Sequence, residues 1–173
     1  MENSIANALY IAAVAAHEAA HCVVALSEGA TLKETFVDAD DGSGEARYLL
    51  RQHTPEMRAA ITVGGPLAES RFLGKRNWRD CFEGSTDYDK MVSLAESAGM
   101  DVEQLIAVGY SRAKPIIDRR WNEIRRLAAR ILDKGGKLTF EQQPTKPPAK
   151  PPTKTGFARL AESSARLTNK LHL

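Results

Sequence analysis

Ala12–Leu26, AAVAAHEAAHCVVAL, is the stretch whose reading decides the fold. Alanine and valine run through it at helical spacing with no glycine or proline, which predicts a helix that can be buried. Residues i and i+4 stand above one another on one helical face, so His17 and His21 can share a metal ion. Glu18, one residue round from His17, flanks that ion without having to bind it, where a general base for the attacking water must sit. The pattern is HExxH, and its chemistry is hydrolysis of an amide. The competing reading is a core helix with two incidental histidines, in which each buried ring nitrogen needs some other partner.

Working outward, Ser4 is a candidate N-cap, and the helix runs from there to Ser27, ending before Gly29. Thr31–Val37 (TLKETFV) and Glu45–Leu50 (EARYLL) alternate imperfectly on either side of the turn-forming run Asp38–Gly44 (DADDGSG), which predicts a hairpin. Its strand beside the metal either pairs with a substrate main chain or simply caps the domain. Asp38, Asp40, Asp41 and Glu45 do not have the spacing of a twelve-residue calcium loop and read as a solvated turn.

Thr54 followed by Pro55 opens a second helix, with Met57, Ala60, Ile61, Gly64, Leu67, Ala68 and Phe72 at helical spacing. Gly64, Gly65 and Pro66 interrupt it, which predicts a kink there or close packing on the HExxH helix. Glu69, the acid near that stretch, either orients a ligand histidine or binds the metal itself. After a polar loop, Thr86 and Asp89 make a capping box for a helix continuing through Met91, Leu94 and Ala95. Asp87 in its first turn is a candidate third ligand, or else a carboxylate favoured there by the helix dipole alone.

Asp101 and Gln104 cap a helix of about Val102–Ala113, and Pro115 opens another that reaches Lys134 and stops at Gly135–Gly136. Arg119, Arg120, Arg125, Arg126 and Arg130 read as its solvated face. Leu138–Phe140 reads as a short packed turn, with Thr139 capping one abortive helical turn. Residues 1–143 make one domain, 144–155 (PTKPPAKPPTKT) a proline- and lysine-rich linker, and 156–173 a basic amphipathic tail.

These residues carry a family resemblance. His17–Ala25 (HEAAHCVVA) resembles the HEAGH element of the FtsH-type peptidase domain (the M41 zinc metallopeptidases), with Ala20 where the family has glycine. Gly64–Glu69 with Phe72 and Gly74 resembles its glycine, glycine, arginine, alanine, alanine, glutamate stretch. Gly84–Asp87, in a segment one residue shorter than usual, resembles the element that supplies an aspartate ligand. The resemblance covers most of residues 10–142. It implies a mainly helical zinc-metallopeptidase domain with a small β-hairpin. It also implies Zn2+ held by His17, His21 and Asp87, Glu18 as the catalytic base, and Glu69 supporting a ligand from behind. Without a preceding ATPase module, Walker motif or membrane span, the expected substrates are unfolded polypeptides or peptides. The rival reading keeps the fold without turnover, as a catalytically silent metal-binding or protein-interaction module.

The formal net charge of +2 is spread evenly enough to give no argument for nucleic acid, and only the tail beyond Gln143 is plainly basic. That tail reads either as a docking segment for a partner protein, a separate ATPase or an anionic surface, or as a frayed or self-docked end, and self-association is open. Cys22 and Cys81 lack CxxC partners, and Cys22 reads as a small buried hydrophobe. His17, Glu18 and His21 interrupt the N-terminal apolar run, which lacks a positively charged start, so the chain reads as soluble and cytoplasmic rather than exported or membrane-spanning.

Overall fold

The computed structural model describes residues 2–52 and 54–140; the linker and tail expected over 144–173 lie outside the described residues. The architecture is mainly helical with one small antiparallel sheet. The first helix, α1, spans Glu2–Ser27, so it is already helical at Ser4 and that residue is not its N-cap. It ends where Gly29 takes a left-handed conformation (φ 84°) and the Ala30 amide reaches back to the Ala25 carbonyl at 2.9 Å. By length and composition Ile5–Ser27 is apolar enough to cross a membrane, and 67 % of that window is buried within the fold. Its first turns are the open part: Ile5 is 72 % exposed, whereas Ala15 to Ala25 are almost wholly covered.

Strands β1 (Thr31–Val37) and β2 (Gly44–Leu49) form the expected hairpin. The imperfect alternation of β1 has a local cause. Leu32 pairs with Tyr48 and Glu34 with Arg47, which leaves Lys33 as an extra residue, so the buried positions become Leu32, Thr35 and Val37. A third strand, β3 (Lys137–Thr139), pairs antiparallel with the other side of β1, giving the order β2-β1-β3. The expected turn capped by Thr139 is therefore wrong. The free edge of β1 offers backbone partners that Lys137–Thr139 satisfies, and that demand comes from a strand a hundred residues away.

Helix α2 spans Pro55–Phe72, with the Thr54 side chain accepting the Met57 amide as N-cap. It continues through Gly64–Pro66, and Gly64 serves close packing: a Cβ there would sit 3.0 Å from Val24 of α1. Helix α3 spans Thr86–Ala98 and is capped by Ser85, not Thr86, because the Ser85 hydroxyl accepts the Tyr88 amide. That one-residue shift puts Asp87 second in the helix, where its carboxylate faces the positive dipole end.

Helix α4, Val102–Asp133, starts at Asp101 as expected but is not interrupted at Pro115; its non-helical residue is Arg120 (φ −106°, ψ 19°). Leu105, Ile106, Ala113, Ile116, Ile117, Ile124 and Ile131 are buried on both sides of Pro115. Burial at about 1.5–3 kcal/mol per side chain outweighs the roughly 3 kcal/mol that an interior proline costs. Arg120 also departs from the solvated-face reading: its guanidinium donates to the Val23 carbonyl at 3.3 Å and to Ser27 Oγ, covering the C-terminal end of α1. Arg119, Arg125, Arg126 and Arg130 are exposed as expected.

Candidate metal centre

Helices α1, α2 and α3 meet at the two histidines. Asp87 Oδ2 lies 2.9 Å from His17 Nε2 and 3.1 Å from His21 Nε2. One ligand atom from each of the three residues lies within 4.8 Å of the other two. Glu45 is exposed on β2 and paired with Arg47 at 2.9 Å, as the solvated-turn reading expects.

The outer side of each ring sets its tautomer. His21 Nδ1 donates to the Ile61 carbonyl at 2.7 Å, and His17 Nδ1 donates to Glu69 Oε2 at 2.9 Å. With both Nδ1 atoms committed as donors, each neutral ring presents an Nε2 lone pair to Asp87 Oδ2, itself an acceptor. Three acceptors converge, and only a cation or added protons can reconcile them. The donor set, two imidazoles and one carboxylate, suits a divalent ion such as zinc and fits a zinc-metallopeptidase-like module in general. In the metal-free protein a proton takes that role at His17. Burial opposes the charged ring, but its hydrogen bonds to Asp87 and Glu69 outweigh burial and raise its pKa from 6.5 to about 9. Burial likewise works against the Asp87 carboxylate, yet the two histidines hold it well below the usual carboxylate range.

Glu18 is 5 % exposed beside this cluster, and its Oε2 has no hydrogen-bond partner. A buried carboxylate oxygen left unpaired is costly, and burial raises the Glu18 pKa, favouring proton uptake there. Gly44 at the start of β2 lies over it; a Cβ there would come 2.7 Å from Glu18 Cγ. Glu18 thus occupies a cleft of about 690 Å3 between β2 and the start of α3, with His17, His21 and Asp87 on its wall. Ala20 is fully buried on the packed side of α1, so its methyl group is absorbed by the fold.

All five residues singled out from the sequence, His17, Glu18, His21, Glu69 and Asp87, therefore stand in one cluster. Sequence reading missed three contributors. The Ile61 carbonyl is backbone and leaves no trace in residue type. Gly65 lies in the stretch expected to pack closely, but a methyl there would overlap Nε2 of both histidines. Lys90, whose Nζ lies 3.0 Å from Asp87 Oδ1, leaves Oδ2 to face the histidines, and its i+3 spacing on a helix was the available signal. Cys22 is buried and unpaired, its thiol pushed up to about 12 by burial, in keeping with a packing role. No protein-family model matches the chain, and no curated protein matches it.

Proposed function

We propose that this chain is a zinc-dependent endopeptidase of the FtsH peptidase type, acting in the cytoplasm on unfolded segments, small proteins or peptides. His17, His21 and Asp87 hold the metal, and Glu69 orients His17. The observation that carries the reading is the unpartnered carboxylate oxygen of Glu18, buried beside three convergent acceptors. Zinc bound there supplies Lewis acidity toward the attacking water and the scissile carbonyl. Glu18 takes the water proton on its carboxylate and delivers it to the leaving amine. Strand β2 is an edge of the sheet and lines the cleft, so its free backbone groups pair with an extended substrate chain. The segment beyond Gln143 serves as a docking point for a partner protein or a separate ATPase.

The test is zinc content and casein hydrolysis for the protein and its Glu18→Gln variant. Stoichiometric zinc in both, with cleavage lost only in the variant, is the expected result. Zinc without cleavage in either makes the chain a silent metal-binding module, and no zinc overturns the site.

A further inference from the structure

The two walls of the metal cleft differ in charge. On the β2 wall, Arg47 pairs with Glu45 at 2.9 Å and with Glu34 at 2.7 Å, and Glu34 also takes Lys137 at 3.1 Å, so two cations there are matched by two carboxylates. The opposite wall carries Arg58 of α2 and Lys90 of α3. Lys90 is engaged by Asp87 Oδ1, whereas Arg58 is exposed and makes no ion pair among the described residues. A second cleft of about 340 Å3, lined by Ser93, Ser97 and Asp89, adjoins on the far side of the same two cations. Arg58 and Lys90 are therefore the sill between the two clefts, and Asp89 lines only the outer one. The acid of this wall that lines the metal cleft, Asp87, is already committed to the histidines and Lys90.

Resting on the peptidase reading, we infer that this sill is a subsite for a substrate carboxylate: an Asp or Glu side chain close to the scissile bond, held by Arg58 with Lys90 beside it. A guanidinium presents a planar fork that a carboxylate fills with two parallel hydrogen bonds, and Arg58 is the free fork lining the metal cleft among the described residues. A chain extended along β2 projects alternate side chains toward the α2–α3 wall, so one acid within a few residues of the cleaved bond reaches it. A lysine at the same substrate position meets two like charges.

The experiment uses the full chain, zinc-loaded and carrying Glu18→Gln so that peptides bind without being cut. The probes are fluorescein-labelled alanine-rich decapeptides with Glu, Gln or Lys scanned through the sequence, read by anisotropy. The Glu peptide should bind about tenfold more tightly than its Gln counterpart at one or two positions, with the Lys peptide weakest. Adding Arg58→Glu should reverse the Glu and Lys order, and Arg58→Lys should retain part of the preference. A Glu preference that survives Arg58→Glu overturns the subsite, because the carboxylate is then bound elsewhere, and equal binding of all three peptides overturns it as well. If the otherwise unaltered protein cleaves casein yet shows no acid preference, the subsite falls and the peptidase reading stands. If the preference holds but nothing is cleaved, the peptidase reading falls and the carboxylate site stands.

Discussion

Helix α2 is approached closely on two sides, each time through a glycine, and the two contacts do different things. Toward α4, Gly109 meets the α2 backbone: a Cβ there would lie 2.8 Å from the Ala59 carbonyl oxygen. Toward α1, Gly65 meets the imidazole edges of His17 and His21. The first contact brings two helices together and ends at packing. The second lets α2 carry Ile61 and Glu69 up to the Nδ1 sides of the rings while leaving the Nε2 sides clear. The same small residue brings two helices together where backbone lies opposite and makes room for ring nitrogens where side chains do.

The largest expected effect separates these roles. Gly65→Ala should abolish stoichiometric zinc, measured after dialysis, because the new methyl takes the space of both Nε2 atoms. Retained stoichiometry would show that the rings can shift and that the glycine serves packing alone.

Next is Glu69→Ala, which removes the partner of one ring and leaves the Ile61 contact of the other. Losing such an outer hydrogen bond typically weakens metal binding by about 10–100-fold. Competition with a chelator of known affinity measures it, and an unchanged affinity would mean that His17 needs no orientation.

Third is the effect of pH. His17 has a folded, metal-free pKa of about 9, above its ordinary 6.5. Its ion pairs therefore stabilise the metal-free protein fully below pH 6.5, and that contribution is lost as pH rises through 9. A metal must displace this proton, so zinc affinity should climb about tenfold per pH unit between 7 and 9 and then level off. Zinc titrations in buffers of different ionisation enthalpy should show close to one proton released per ion at pH 7.5; no release would refute a charged His17.

The smallest effect on the metal should come from Gly109→Ala. It forces α2 and α4 apart and should cost about 1–3 kcal/mol in urea unfolding while zinc stoichiometry is unchanged. Loss of zinc in this variant would show that the two sides of α2 are coupled.

Local chemistry was enough to read the elements that end where a residue type demands it. Thr54–Pro55 opens α2, Asp101 opens α4, and the turn before Gly44 joins the hairpin. His17, Glu18 and His21 were legible for the same reason, since i and i+4 spacing on a helix decides which side chains share a face. Asp87 was harder, because a first-turn aspartate has an ordinary reason to be there; only the arrival of α3 beside α1, seventy residues away in sequence, makes it a partner of both rings.

What the sequence by itself determined, then, was the His17, Glu18 and His21 part of the site and the helix that carries it, because these follow from spacing within one element. Tertiary structure alone decided that Ile61 would hold His21 by its carbonyl, that Gly65 would clear the ring nitrogens, and that β3 would complete the sheet. It also carried α4 past Pro115. Each of these depends on backbone groups and apolar surface brought together from distant parts of the chain, and the energy of such contacts does not belong to any one residue.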